Sequence, residues 1–530
     1  MVINMKRISK FSILLLLVLF LCSCSEQGES SNQGNLNDID STLPVLSIET
    51  VSRDADVMDF VTKPVVGHVA RDIASWTPGY QMPPEPYYED CMISLTNIDG
   101  TRMLDAVTGE VKVRGNWTTT YDKKPLRIKF DKPQDMLRMN AGAKFKNWLL
   151  LAEYKDASLL RNKTALSIAR DLLQRDGHYV ADAEFVEVFI NGEYWGVYLL
   201  TEMQQVHEER VNISPVASGY TGTDIGYFME LDGYFYNEDA LHQFRVDYAD
   251  NAPLVPYDGK GGSGRTMTAL STGPKDYKKD IGISISSDIY SQEQHDFIAN
   301  FVNNVYEIMY AAAYRNEAYC FNADYTAIEK TTGLTPREAV EQVIDLQSLV
   351  DSYILNEVVC DADLYWSSFY MTADFGEGGN RKLTFEAPWD FDSGLGNKSR
   401  CPDGTGFYAA NIIPDVNGGI MYGGYETINP WLAVLANLDW YQELVKDTWT
   451  TAYDDKVFDR ALQMIETDAE NCKTAFAKNY LRWDNIVRND AFVNELSAKA
   501  AACKNETEAI AYLCEWLTAR VNFLNEQWHW

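Results

Sequence analysis

Apolar and polar residues alternate along much of the first half of the chain, and this pattern predicts β-strands. The alternation covers residues 91–98, 111–114, 126–130, 184–190 and 193–200. Asn191 and Gly192 join the last two of these segments. That dipeptide is typical of a type I′ turn, because both central positions of the turn need a positive φ. The first half is therefore expected to be rich in strands and to contain at least one tight β-hairpin.

Apolar residues at helical spacing are typical of the second half. Ser291 with Gln294, and Asn505 with Glu508, are possible capping boxes at the starts of two helices. Residues 345–359 predict another helix, which leads into an acidic loop. One helix is also expected among the strands, with Ser158 as its cap and an apolar face made by Leu160, Ala165, Ile168 and Leu172.

Two acidic loops follow the helix predicted over residues 345–359. The first contains Asp361 and Asp363, and a short hairpin predicted from residues 367–372 and 382–385 leads to the second. In the second loop, Asp390 and Asp392 flank one phenylalanine before a Gly-rich turn. Such a loop can present carboxylate oxygens to Mg²⁺. Asp and Gly are also ordinary turn residues, so a metal loop and a simple turn both remain open.

The N-terminal segment is typical of a bacterial export signal. Three basic residues precede the apolar run of residues 11–21, which is too short to be a permanent membrane helix. Residues 21–24 resemble a lipobox, which predicts removal of residues 1–23 and lipidation of Cys24; a plain secretory signal is the alternative. Ser25 favours the outer membrane of a Gram-negative bacterium, by analogy with lipoprotein sorting. Residues 24–43 are expected to be a flexible tether, and residues 44–530 a folded domain.

Charge and cysteine content narrow the possible partners. Removal of residues 1–23 changes the formal net charge from −31 to −34, which argues against nucleic acid as a partner. A phosphate-binding site must then be a local basic pocket, and the basic residues between positions 112 and 170 are the candidates. Seven cysteines follow Cys24 without any C-x-x-C spacing, so neither a zinc site nor a disulfide framework is indicated.

Seven segments, taken together, resemble the CotH family, which is named for spore coat protein H. They occur in the family's order and span most of the mature chain. The segments are Val113-Arg114-Gly115-Asn116-Trp117, Lys123-Lys124-Pro125-Leu126-Arg127-Ile128-Lys129-Phe130, Lys146-Asn147-Trp148, Leu159-Leu160-Arg161-Asn162-Lys163, Asn191-Gly192-Glu193-Tyr194-Trp195-Gly196-Val197-Tyr198-Leu199-Leu200-Thr201-Glu202, Asp361-Ala362-Asp363-Leu364-Tyr365-Trp366 and Trp389-Asp390-Phe391-Asp392. The resemblance implies an α+β fold of the atypical, two-lobed protein-kinase-like kind. The strand-rich lobe is expected over about residues 44–285 and the helix-rich lobe over about residues 286–530.

The resemblance also implies an activity and its acidic residues. It implies transfer of the γ-phosphoryl group of ATP, with Mg²⁺, to Ser or Thr hydroxyls of exported or surface proteins. Asp363 occupies the place of the family's catalytic Asp, and Asp390 matches the metal-binding Asp. Asp392 is either a second metal ligand or a structural acid. The lipid anchor implies a membrane as the other partner.

Basic residues near the strands complete the expected nucleotide site. Lys129 lies in a strand, as a phosphate-binding lysine would, and Lys124 and Arg127 are nearby alternatives. Arg114 is expected to line the nucleotide cleft. Glu202 is expected to pair with a lysine or reach a metal, unless it is only an exposed strand end.

Departures from kinase patterns keep other functions open. The chain has no Gly-x-Gly-x-x-Gly loop before the basic strand and no P-loop motif. Ser368 stands five residues after Asp363, where a kinase loop has its metal-binding Asn. The alternative is a non-catalytic surface protein for adhesion or glycan binding, served by some of the 13 Trp and 31 Tyr. Glycoside hydrolysis by Glu386 and Asp390 is a third, less favoured hypothesis.

Overall fold

The structure is a computed structural model, which describes residues 36–52, 58–260, 264–269, 281–361, 363–398, 403–414, 426–483 and 496–530. The predicted signal peptide, Cys24 and most of the predicted tether therefore lie outside the described residues. Residues Ser41–Trp530 form one compact unit. The unit before it, Met1–Asp40, is described from Leu36 and contains the 3-10 turn Leu36–Asp38.

Seven strands close into a barrel. In chain order they are β1 (Val45–Thr50), β2 (Glu89–Thr96), β3 (Arg102–Val113), β4 (Leu126–Gln134), β5 (Phe145–Leu151), β6 (Ala183–Ile190) and β7 (Glu193–Glu202). Their order around the barrel is β1-β2-β3-β4-β5-β7-β6. The parallel pairing of β1 with β6 closes the barrel, and the other neighbours pair antiparallel.

Alternating side chains fill the interior of this barrel. Ile48, Ile128, Trp148 and Val188 are among the fully buried members of its apolar cluster. The five strand segments expected from alternation are all found here. Residues 111–114, however, are only the end of the 12-residue strand β3, because polar residues in its first part obscure the alternation. The hairpin between β6 and β7 turns at Asn191 and Gly192 with φ of 51° and 77°, as predicted.

A second sheet combines strands from both halves of the chain. It contains β8 (Gly226–Asp232), β9 (Gln243–Phe244), β10 (Gly282–Ile285), β13 (Phe369–Asp374) and β14 (Leu383–Phe385), in the order β14-β13-β8-β10-β9. Two small pairs accompany it, β11 (Ala318–Phe321) with β12 (Ile328–Thr331) and β15 (Ile413–Pro414) with β16 (Glu426–Thr427). The hairpin predicted after the first acidic loop is thus confirmed as β13 and β14. Since β13 pairs with β8, it joins the strands of the first half.

Helices surround these sheets and dominate the C-terminal part. They are α1 (Asp59–Thr62), α2 (Gly67–Trp76), α3 (Arg161–Leu173), α4 (Tyr248–Asn251), α5 (Gln292–Tyr310), α6 (Pro336–Val343), α7 (Leu346–Val359), α8 (Pro430–Ala433), α9 (Asp439–Asp454), α10 (Val457–Asn471), α11 (Lys473–Arg482), α12 (Ala498–Ala502) and α13 (Glu506–Trp528). Helix α3 packs against α7 and α10. The mixture of sheets and helices confirms the α+β class, while the two-lobed layout stays a prediction.

The helix starts show which capping signals were interpreted correctly. Ser291 and Gln294 form the capping box of α5. The Asn505 side chain accepts the Glu508 amide hydrogen at the start of α13. The Ser158 cap was wrong, because α3 begins at Arg161 and the carboxylate of Asp156, not Ser158, accepts the Arg161 amide hydrogen at 2.8 Å. Asp156 reaches that amide because the turn before α3 folds back over it.

Two further observations concern membrane-spanning helices and cysteines. No helix among the described residues is long and apolar enough to cross a membrane. Five of the cysteines that the structure describes are free thiols: Cys91, Cys320, Cys472, Cys503 and Cys514.

Candidate active site

The two predicted acidic loops lie side by side. Helix α7 ends at Val359, and the next residue, Cys360, has a left-handed φ of 47° where the chain enters the first loop. Strands β13 and β14 return the chain to the second loop. There the Leu395 amide donates a 2.6 Å hydrogen bond to the carbonyl of Val359, the last residue of α7. Residues 361–368 and 388–397 therefore belong to one site.

The charges of neighbouring acids in these loops raise the pKa values of Asp361 and Asp390. Burial, followed by the charges of Asp392 and Asp363, raises the pKa of Asp390 to about 7. Burial and the charges of Asp363 and Asp390 raise the pKa of Asp361 well above its usual value. Like charges at short range disfavour ionisation of each group. The structure thus brings the predicted Asp363, Asp390 and Asp392 together and adds Asp361 to them.

The chemistry of this group suits a hard divalent cation. Carboxylate oxygens are the ligands that Mg²⁺ takes in proteins. Asp361 is buried, and its Oδ1 atom has no hydrogen-bond partner. Among the described residues, no group of three or more His, Cys, Asp or Glu side chains is already arranged to hold a metal. The oxygens that would hold such a cation are those of Asp361, Asp390 and Asp392.

Asn162 and Glu153 hold the second loop in a strained conformation. Asp390 and Leu395 have positive φ values of 70° and 49°, which cost roughly 1–3 kcal/mol each in a non-glycine residue. The Asn162 Oδ1 atom accepts the amide hydrogen of Phe391 at 2.7 Å. Its Nδ2 group donates to the buried Glu153 carboxylate at 3.0 and 3.2 Å. The sequence interpretation missed this clamp, although Asn162 lies in a family-like segment.

Lys155 contacts an aspartate and a serine of the second acidic loop directly. Its Nζ atom lies 3.3 Å from Asp392 Oδ1 and donates to Ser393 Oγ at 2.9 Å. The side chain is 6% exposed, so this is a buried ion pair. The sequence marks Lys155 only by its position eight residues before Lys163, which lies in a segment that resembles the family. Sequence reasoning therefore passed over it in favour of strand lysines.

Arg114 and Glu230 line another side of Asp390. The charge of Arg114 opposes the rise in the pKa of Asp390, which places the predicted cleft residue near the carboxylates. Glu230 accepts the Ser368 amide hydrogen at 2.8 Å, and burial with the charge of Asp232 raises its pKa to about 8. Glu230 thereby fixes the backbone of the residue that replaces the expected asparagine. It gave no recognisable signal, because it is one acid within an ordinary strand.

The structure places the predicted strand cations elsewhere. In β4, Leu126, Ile128 and Phe130 point into the barrel, so Arg127 and Lys129 point outward. Lys129 is 47% exposed and pairs with Glu110 at 3.0 Å, whereas Arg127 donates to Asn147. Lys124 is buried and donates to the Thr119 carbonyl, and burial lowers its pKa to about 8. These contacts join the three residues to other residues of the chain, and their role in nucleotide binding stays a prediction.

Glu202 belongs to a separate buried network. It pairs with Arg210 at 3.3 Å and accepts the Asp182 amide hydrogen at 3.0 Å. Burial raises the pKa of Glu202 despite these partners. The expected lysine or metal partner is thus replaced by an arginine. Strand β7 runs further than the sequence predicted, so its end is covered and not exposed.

Glu386 is held by the protein's own donors. Its carboxylate accepts the Tyr179 amide hydrogen at 3.1 Å and the Thr372 hydroxyl at 2.7 Å. An acid with both oxygens engaged is poorly placed to protonate a leaving group. The hypothesis of glycoside hydrolysis by Glu386 and Asp390 loses its support from this arrangement.

Two cavities differ in size and position. A cavity of about 20 Å³ is lined by Asp361, Ser368 and Tyr370 beside the acidic loops. That volume holds a single water molecule, so this cavity is too small for a nucleotide. A cavity of about 580 Å³ lies elsewhere, where Lys163 pairs with Glu184 and Asp468. None of the four loop aspartates lines it.

Comparison with known proteins identifies the family. A family model described as CotH kinase protein matches residues 111–524. The match covers well over half of the chain, so the chain belongs to this family. No curated protein matches the chain.

Proposed function

From membership of the CotH kinase family and the geometry of the acidic loops, we propose that this protein is a Mg²⁺-dependent protein kinase. It transfers the γ-phosphoryl group of ATP to Ser or Thr hydroxyls. The observation that carries the proposal is the convergence of Asp363, Asp390 and Asp392 in two adjoining loops with Lys155 beside them. Phosphoryl transfer needs this combination of carboxylates and cations, because its catalysis is mostly positioning and charge neutralisation. The proposal includes the two-lobed kinase-like layout.

Each group has a role in the proposed reaction. Asp363 orients the acceptor hydroxyl and receives its proton, while the acceptor oxygen forms a bond to the γ-phosphorus. The bond from that phosphorus to the β–γ bridging oxygen breaks, and ADP leaves. Asp361, Asp390 and Asp392 would hold the divalent cation, which neutralises phosphate charge when bound. Lys155 and Arg114 add positive charge on the protein's side.

A phosphorylation assay tests this proposal. Purified mature protein with labelled ATP and Mg²⁺ should label itself or a casein-like acceptor on Ser or Thr. Asp363→Asn should lower the rate about 10²–10⁴-fold, the usual contribution of a general base, and Asp390→Asn should lower it through loss of the metal. Asp459→Asn is the matched control, because Asp459 lies on α10 and is 67% exposed. Equal labelling by Asp363→Asn and wild type would refute the proposal.

We propose that the acceptors are exported or surface proteins. We also propose that the enzyme is anchored to the membrane by a lipid on Cys24. The basis is the signal-like N-terminus and the lipobox-like residues 21–24. Cys24→Ser should move the protein from the membrane fraction to the soluble fraction of the producing cells. Cys22→Ser is the matched control and should leave it in the membrane fraction. Retention of Cys24→Ser in the membrane would contradict the anchor.

A non-catalytic surface protein is the second candidate. Its support is the absence, among residues that the structure describes, of three acidic side chains already arranged around a metal. Exposed aromatic residues, such as Trp76 and Trp530 at 48% and 61% exposure, would serve as contacts for glycans. Glycan-array binding that survives Asp363→Asn and Asp390→Asn, without any phosphorylation, would favour this candidate.

A further inference from the structure

Lys155 occupies a position inside the carboxylate group. Its ammonium contacts Asp392 Oδ1 and Ser393 Oγ at 3.3 and 2.9 Å. The same serine hydroxyl lies 3.2 Å from Asp392 Oδ1 and 3.5 Å from Asp363 Oδ2. Lys155 is therefore connected through one hydroxyl to both acidic loops. An ammonium at this place counters the repulsion among the aspartates, as a bound cation would.

The backbone of Lys155 is anchored, whereas its side chain has a flexible stem. Asn397 Nδ2 donates both to the Lys155 carbonyl at 3.3 Å and to the Asp392 carbonyl at 2.7 Å. Two residues earlier, Glu153 has a left-handed φ of 49° and its carboxylate is held by Asn162. Beyond this anchored backbone, a lysine side chain has a flexible stem of four carbons that ends in a compact ammonium group. The ammonium is thus carried by a flexible stem from a backbone position that hydrogen bonds fix.

From this geometry we propose that Lys155 is an internal counter-ion that competes with the divalent cation. In the nucleotide-free protein its ammonium neutralises Asp392. When the cation binds the aspartates, the ammonium leaves Asp392 and contacts the phosphates of the nucleotide. The second part rests on the proposed kinase function, whereas the competition with the metal does not.

The alternative is a purely structural lysine, and the two roles predict different signs. If Lys155 only stabilises the second loop, its loss loosens the aspartates and weakens both metal and nucleotide binding. If it is a counter-ion, its loss removes a positive charge from the metal site and strengthens metal binding. The same loss weakens binding of phosphates. Opposite changes in the two affinities are therefore diagnostic.

The experiment measures binding to the mature protein and two neutral variants, Lys155→Met and Lys155→Gln. Mn²⁺ binding without nucleotide is followed by electron paramagnetic resonance, and we expect at least tenfold tighter binding by both variants. ATP and adenosine binding are then measured by calorimetry with Mn²⁺. ATP affinity should fall at least tenfold while adenosine affinity stays within twofold, because adenosine lacks phosphates. Lys155→Arg keeps the positive charge and should show neither the gain in Mn²⁺ affinity nor the loss of ATP affinity.

Each result decides one part of the proposal. Unchanged or weaker Mn²⁺ binding by both neutral variants overturns the counter-ion, whatever the nucleotide data show. Stronger Mn²⁺ binding with unchanged ATP affinity keeps the competition and overturns the phosphate contact. If wild type binds Mn²⁺ but no nucleotide, the proposed kinase function and the phosphate contact both fail, and the Mn²⁺ comparison still decides the counter-ion. Far-ultraviolet circular dichroism shows whether each variant is folded, and Lys155→Gln, which keeps hydrogen-bond donors, serves if Lys155→Met is not.

Discussion

Replacement of Arg520 by Met is expected to lower the free energy of unfolding by about 3–5 kcal/mol, the usual effect of removing one partner from a buried ion pair. Arg520 on α13 and Glu357 on α7 are both fully buried, and Nη2 lies 2.5 Å from Oε2. Arg520 also donates through Nε to the Glu357 carbonyl at 2.5 Å. After the substitution the Glu357 carboxylate keeps the amide hydrogens of Tyr408 and Ala409 but has lost its buried positive partner.

The loss should depend on pH, and its sign follows from the carboxyl group. Burial raises the pKa of Glu357, while Arg520 opposes that rise. Without Arg520 the pKa of Glu357 in the folded protein rises further above its value of about 4.3 in the unfolded chain. The stabilisation from this group is then fully present below about pH 4 and is lost as pH rises through the folded pKa. The loss caused by Arg520→Met is therefore smaller at pH 5 than at pH 8.

Urea unfolding followed by tryptophan fluorescence at these two pH values measures the effect. Arg102→Met is the matched control, because Arg102 and Asp105 lie 2.8 Å apart but are 62% and 69% exposed. Exposed pairs contribute about 0–1 kcal/mol. The double variant Arg520→Met with Glu357→Gln should recover part of the loss, since no buried charge remains. A loss below about 1 kcal/mol that is equal at pH 5 and pH 8 would refute this reasoning.

Three further predictions concern other parts of the molecule. Burial raises the pKa of Asp351 to about 7, so the stabilisation that this carboxyl group contributes is present below about pH 4 and is lost as pH rises through 7. Asp351→Asn should therefore flatten the pH dependence of the melting temperature, and an unchanged dependence would contradict this. Asn162→Ala leaves the Phe391 amide and Glu153 without their partner and should cost about 1–3 kcal/mol in urea unfolding, with weaker Mn²⁺ binding; an unaltered midpoint would count against the clamp. ATP at about 100 times its dissociation constant should add about 2.7 kcal/mol to the free energy of unfolding and so raise the melting temperature. Excess EDTA should abolish this rise, and an ATP effect that persists in EDTA would argue against a metal-dependent site.

The sequence predicted those elements whose signals are local. The alternation in five segments, the turn at Asn191 and Gly192, and the capping boxes depend on residues within a few positions of one another. The start of α3 was misplaced, because Asp156 accepts the Arg161 amide across five positions and displaces the nearer Ser158. A capping rule that considers only the adjacent polar residue does not include such a turn.

The acids of the two loops have a local signal in the sequence, whereas the cation beside them has none. Asp363, Asp390 and Asp392 stand in short acidic motifs, which are visible in a linear chain. The alternation around Lys129 does not say whether its side chain points into or out of the barrel. In the structure it points outward and pairs with Glu110. Lys155 lies 237 positions before Asp392 along the chain, so no local pattern joins the two residues.

The sequence by itself determined the family, the α+β class, most strand positions and the acidic loops, because hydrophobic period, turn chemistry and motif order are properties of neighbouring residues. The tertiary structure alone decided which charges meet. In the closed barrel the outward side chains of β4 meet Glu110 and Asn147, whereas the turn before α3 meets the second loop through Lys155 and Asp392. Contacts across such distances arise from burial of apolar surface throughout the domain, which no short segment encodes.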